Sequence, residues 1–165
     1  METEKLFTIA EALLKPWEKE INHPDVNRLD VYLSREDLLE SVQELTTARW
    51  GYLSAITGVD IVPPDTEGEE QGGHLEVLYH FCNSAAVLSL RINVPYSDAQ
   101  VPSVCGIIPS ATIYERELME LFGIVVVGTP VPDRLVLPDN WPDGVFPLRK
   151  SFTSFNTPKL EAEEN

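Results

Sequence analysis

YERELMELFGIVVVG, residues 114–128, runs directly into TPVPDRLVLPDNWPDGVFPLRK, residues 129–150, and the pair sets the organisation of the chain. In the first segment Tyr114, Leu118, Leu121 and Phe122 recur at i, i+4, i+7 and i+8, the single apolar face of a helix. Ser110, after Pro109, is the expected N-cap, and Gly123 is the stop. Glu117 falls inside that face, and a carboxylate there is costly unless something pairs with it. Three readings follow: a structural ion pair, the commoner use of buried acids; half of a contact that fixes a partner protein; or, last, catalysis. Glu115 and Arg116 flank it, and Arg116 reaches Glu120 at i+4 on the solvent side. Residues 124–127, Ile-Val-Val-Val closed by Gly128, read as a short strand covered on both faces.

Beyond Gly128 the chain changes character. Pro130, Pro132, Pro138, Pro142, Pro147 and Pro158 exclude long helices and central strands, so an extended, stiff segment is expected. It still carries Leu135, Val136, Leu137, Trp141, Val145, Phe146, Leu148, Phe152 and Phe155, too many large apolar groups for a solvated tail. Those side chains need a cover.

Upstream, residues 74–82 and 85–94 read as a hairpin, with Leu75, Val77, Tyr79 and Phe81 alternating on one strand and Leu88, Leu90, Ile92 and Val94 on the next. Arg91 shares the opposite, more polar face with Val87, Ser89 and Asn93. Residues 51–62 give another strand, with Trp50 packed beneath it, and residues 63–73 (PPDTEGEEQGG) an acidic loop expected to be mobile. Leu38, Val42 and Leu45 form the inner stripe of a helix that Ser34 and Asp37 open as a capping box. Leu29, Val31 and Leu33 make a half-buried strand after a turn at His23, Pro24, Asp25 and Asn27. Leu6, Ile9, Ala10, Leu13 and Leu14 make a first helix that ends near Pro16. The order predicts an α+β fold, a mostly antiparallel sheet with helices packed on it. Residues 1–128 are expected to form that domain, and 129–165 an extended proline-rich C-terminal arm.

With 27 acidic against 12 basic residues, net charge −15, nucleic-acid binding is disfavoured, because phosphate backbones need a basic face. Direct attachment to an anionic membrane is disfavoured for the same reason. Cys82 and Cys105 lack CxxC spacing and His23, His74 and His80 do not cluster, which excludes a four-thiolate iron-sulfur cluster held by this chain. No glycine-rich phosphate cradle is present, nor a nucleophile beside a base, and Glu115 and Glu117, two apart on a helix, point to different faces. Catalytic, cofactor-binding and metal residues are therefore expected to be none. Glu2 and Glu4 stand where a signal peptide would be basic, and no apolar run reaches membrane-span length, so a soluble cytoplasmic chain is expected.

The combined pattern resembles the NuoC-type subunit, the small hydrophilic subunit of respiratory NADH dehydrogenase (complex I), a module also found in membrane-bound energy-converting nickel-iron hydrogenases. Glu115, Arg116, Glu117, Phe122, Gly123, Ile124, Gly128, Pro130, Arg134, Leu137, Pro138, Trp141, Pro147, Leu148, Arg149 and Lys150 fit that signature, and VPSV at residues 101–104 fits upstream. Glu120 replaces an Asp, Thr129 a His, Asp133 the first of two arginines and Ser151 an Asp; NWPDGVFPLRK is closer to the hydrogenase-type relatives.

The resemblance implies a cofactor-free peripheral-arm subunit on the cytoplasmic side of the membrane, attached only through its complex. Its partners would be a large hydrogenase-like subunit and an iron-sulfur subunit, which hold the iron-sulfur clusters and, in the hydrogenases, the nickel-iron site. The arm would pack on the large subunit. Glu115, Arg116, Glu117, Phe122, Arg134, Trp141, Leu148, Arg149 and Lys150 become the interface or structural residues, with Arg134 and Arg149 as counter-charges for the acids. The competing reading is a free-standing α+β domain, either a soluble enzyme with a pocket between sheet and last helix or a self-associating module.

Overall fold

Alternation in the hairpin builds the centre of the molecule. In the computed structural model, which describes residues 2–63 and 72–152, β4 (His74–Asn83) and β5 (Ala86–Val94) pair antiparallel around a turn at Ser84. Leu75, Val77, Tyr79 and Phe81 bury one face together with Leu88, Leu90, Ile92 and Val94, the same eight residues that the period of two selects. β3 (Tyr52–Ile61) pairs antiparallel with β4, with a register shift between Leu53 and Ala55, and forms one edge of the sheet. On the other side β2 (Arg28–Tyr32) joins β5 in parallel, and β1 (Glu20–Asp25) pairs antiparallel with β2. The order is β1-β2-β5-β4-β3, a mostly antiparallel sheet in an α+β fold.

β1 falls where the sequence suggested a turn. Its side chains are nearly all exposed, so it carries no alternation to read, and its register is irregular between Asn22 and Asp25 where Pro24 cannot donate to the ladder.

α1 (Glu2–Leu14) and α2 (Leu38–Thr47) pack on each other, and α1 also lies against β5. Leu38, Val42 and Leu45 form the buried stripe of α2 as their spacing requires. In α1 the buried residues are Phe7, Ala10 and Leu14, while Ile9, assigned to the inner face from spacing alone, is exposed. Trp50 is buried and its indole N–H donates to the Leu6 carbonyl at 2.8 Å, tying α1 to the start of β3. The expected capping box at Ser34 does not form: residues Arg35–Asp37 make a 3-10 turn, and Ser34 makes no side-chain cap.

α3 (Thr112–Phe122) packs on β3. A 3-10 turn at Pro109–Ala111 leads into it, so the N-cap is Ala111 and not Ser110. Gly123 ends it in the left-handed conformation, φ 67°, with its N–H on the Met119 carbonyl. β6 (Gln100–Pro102) and β7 (Val125–Val127) form a separate two-stranded parallel sheet. The expectation of a strand covered on both faces is corrected here: Val126 points into the core, whereas Val125 and Val127 are 58% and 54% exposed.

From 129 to 152 the chain forms neither helix nor strand, yet it folds back along α3. The acidic loop, for which mobility was expected, lies largely outside the described residues, as does Phe155.

Candidate docking site on the last helix

An irregular segment has no ladder of its own, so its backbone groups need partners from elsewhere. α3 supplies them from one polar face and from its C-terminus. Glu120 accepts three consecutive backbone N–H groups, from Leu135, Val136 (2.8 Å) and Leu137 (3.1 Å). Four residues earlier Arg116 donates Nε to the Asp133 carbonyl at 2.7 Å and Nη2 to the Arg134 carbonyl at 2.6 Å. The two side chains, expected to pair with each other in solvent, instead grip residues 133–137 from one face of the helix. Bonds from charged groups to backbone are among the stronger hydrogen bonds, which is how a segment without secondary structure is held.

The helix C-terminus holds the next part. Its last carbonyls lack intrahelical donors. The Leu148 N–H donates to Leu121 O at 3.1 Å, and Arg149 Nε donates to Phe122 O at 2.7 Å, a cation at the negative end of the helix dipole. The Arg149 guanidinium also lies 4.9 Å from the Phe146 ring centroid and 5.7 Å from that of Tyr96. Gly123 is required twice over, because a Cβ there would sit 2.3 Å from the Phe146 ring and the backbone is left-handed. Gly58 gives the Phe122 ring its seat on β3, where a Cβ would come within 2.5 Å of it. Lys150 contributes its backbone N–H, 2.8 Å from Asp60 Oδ2, and Asp60 also accepts from the Tyr96 hydroxyl. The Trp141 indole donates to Val145 O at 2.8 Å, and its ring lies 6.1 Å from Phe152.

Glu115 works on the opposite side. It is 1% exposed and accepts from the Ser103 hydroxyl at 2.8 Å, the Val104 N–H at 2.7 Å and the Cys105 thiol at 3.2 Å. The VPSV turn that precedes α3 is thereby tied to it. Burial pushes the Cys105 thiol pKa up, and both cysteines are free.

The structure thus redistributes the expected roles. The buried acids of α3 are Glu115 and Glu120, while Glu117 is half-buried, in a cleft between α3 and β3. Arg134 and Arg149 are not its counter-charges. Arg134 pairs with Asp143 at 2.6 Å and donates to Trp141 O at 2.8 Å, closing the loop around residues 138–143. Asp60 was missed by sequence reasoning, and the contacts of Ser103 and Phe146 were not foreseen, since each acts on a residue distant in the chain. Among the described residues no cluster of His, Cys, Asp or Glu could hold a metal, and no helix is long and apolar enough to cross a membrane.

The sequence matches, over residues 31–158, the family described as the respiratory-chain NADH dehydrogenase 30 kDa subunit. It is 32% identical over 143 residues to formate hydrogenlyase subunit 5 of Escherichia coli (strain K12), covering 83% of this chain and 24% of that protein. With the NADH-quinone oxidoreductase C subunit of a Nocardioides species it shares 32% identity over 126 residues, 73% of this chain and 47% of that one. The chain therefore spans half or less of the length of these curated relatives. Among solved structures, the trypsin-resistant fragment of Nqo5 superposes with a TM-score of 0.61 at 27% identity, covering 79% of this chain and 99% of the fragment.

Proposed function

The chain belongs to the family of the respiratory-chain NADH dehydrogenase 30 kDa subunit, and we propose that it is a non-catalytic peripheral-arm subunit of a complex-I-like membrane-bound oxidoreductase. The parent complex in this reading is an NADH:quinone oxidoreductase or an energy-converting nickel-iron hydrogenase; the relatives include subunits of NADH-quinone oxidoreductase, of formate hydrogenlyase and of hydrogenase-4. In this reading the chain scaffolds a large hydrogenase-like subunit beside an iron-sulfur subunit on the cytoplasmic face. Those partners carry the iron-sulfur clusters, and the nickel-iron site if the complex is a hydrogenase.

The observation that carries the reading is the outer surface of the segment after α3. Val131, Leu135, Val136 and Leu148 are exposed on that segment, whose backbone is held at residues 133–137 by Arg116 and Glu120 and at Leu148 by the end of α3, and Val125 and Val127 are exposed on β7 just before it. A set of large apolar groups on a strongly anchored, irregular segment suits a subunit interface better than a free surface. The division into an α+β domain (1–128) and an arm (129–165) that covers a partner is part of the same proposal. The free-standing-domain reading does not account for the family match.

The test is affinity purification from the native host after mild detergent extraction, with an N-terminal tag, metal analysis and mass spectrometry of co-purifying chains. Recovery of a large subunit, an iron-sulfur subunit and membrane proteins is expected. Stoichiometric nickel would assign the complex to the hydrogenases. Recovery of this chain alone, soluble and folded, would overturn the proposal.

A further inference from the structure

The cleft between α3 and β3 is walled by Ala55, Thr57, Tyr114, Leu121 and Leu148, with a volume of about 270 Å³, and among the described residues Glu117 is the only acid that lines it. β3 is the edge strand of the sheet, so among the described residues no further strand closes that side. Tyr52, Ile113 and Leu148, residues of β3, α3 and the returning segment, are all exposed. Among the described residues Glu117 has neither hydrogen bond nor ion pair. The arginines of α3 and of the returning segment are committed: Arg116 to the 133 and 134 carbonyls, Arg134 to Asp143, Arg149 to Phe122 O. A half-buried carboxylate against apolar walls gains most from a cation that arrives with its own apolar stem, because pairing in a partly desolvated site is weakly screened.

We propose that this cleft receives one arginine or lysine side chain of the partner subunit, its charged end on Glu117 and its methylenes on Tyr114, Leu121 and Leu148. The volume lies just below the range of small-molecule sites and suits one long side chain. The chain's charge of −15 favours a basic partner surface. The inference rests on the subunit reading above and adds the chemistry of the contact.

Glu117→Gln keeps the shape and breaks no bond within the described chain, so its thermal melting should equal that of the unaltered protein. In tagged full-length protein purified from the host, it should weaken retention of the partner subunits about 10-fold, and Glu117→Lys should weaken it further. A benzophenone side chain placed at Leu148 and irradiated in the assembled complex should couple to a partner peptide that contains arginine or lysine. Undiminished retention of partners by both Glu117 variants would overturn the cleft assignment and leave the subunit reading standing. Coupling only to residues 153–165 of this chain, or to a second copy of it, would overturn it as well. If the unaltered chain brings down no partner, the subunit reading and this inference fail together.

Discussion

Two clusters of charged side chains among the described residues, one on the sheet and one on α3, are used in opposite ways. On the sheet, Arg91 meets other side chains: Nε and Nη2 take both oxygens of Glu76 at 2.8 and 2.5 Å, and Nη1 takes Asp30 at 2.7 Å. The guanidinium also sits 5.1 Å from the Tyr32 ring centroid. On α3, Arg116 and Glu120 ignore each other and bond backbone. The sheet already satisfies its main chain through ladders, so its charges have only one another to satisfy; the segment after α3 has no ladder, so the helix's charges take that role. Neighbouring charges of opposite sign therefore mean different things depending on whether the backbone beside them already has its partners.

That contrast can be broken from either end. The largest effect is expected from Arg91→Met, which leaves the buried Glu76 and Asp30 without their cation and should cost roughly 3–5 kcal/mol of global stability, read as a lower urea midpoint with unchanged slope. Hydrogen bonding to Glu76 holds the Arg91 guanidinium well above its ordinary pKa, so the arginine keeps its charge. Glu120→Ala should cost about 2–3 kcal/mol, and the loss should be local. Amide exchange at Leu135, Val136 and Leu137 should accelerate while the amides of β4 and β5 keep their protection. If the sheet amides lost protection equally, the two regions would be one cooperative unit and the contrast would disappear.

Arg116→Ala comes next, at about 1–2 kcal/mol, because its two bonds to the 133 and 134 carbonyls are nearer solvent. Exchange at residues 135–137 should rise less than for Glu120→Ala. The smallest effect is one of pH. His80 lies between Ser89 and Thr57 at 3.0 and 3.2 Å on the Arg91 face of the sheet, and burial, followed by Arg28, lowers its pKa below the ordinary 6.5. The unfolded chain then takes up the proton first as pH falls, so the stability His80 contributes is full above about pH 6.5 and is lost as pH drops through the folded value. The difference in stability between the natural chain and His80→Gln should therefore shift towards the variant between pH 7 and 5, in paired urea titrations.

Local periodicity accounts for what was legible in the sequence. Eight alternating residues specified the β4–β5 hairpin and its buried face, Leu38, Val42 and Leu45 specified α2, and Gly123 marked the end of α3. The family signature from Glu115 to Lys150 was legible too, because its residue types and spacing stand in one stretch. The exposed edge strand β1 was not, since a strand with no buried face leaves no alternation.

What the sequence determined by itself is the α+β order, the membership of the family and the need to cover an apolar, proline-rich tail. What only the tertiary structure decided is which acid of α3 does what. Glu115, Glu117 and Glu120 lie within six residues and look alike in sequence. Yet one ties the VPSV turn, one stands in a cleft without a partner among the described residues, and one holds the backbone of residues 135–137. Their roles depend on segments 10 to 17 residues away in the chain and on a sheet edge farther still. A helical spacing fixes the direction of a side chain around its axis, and only the packed fold supplies what stands in that direction.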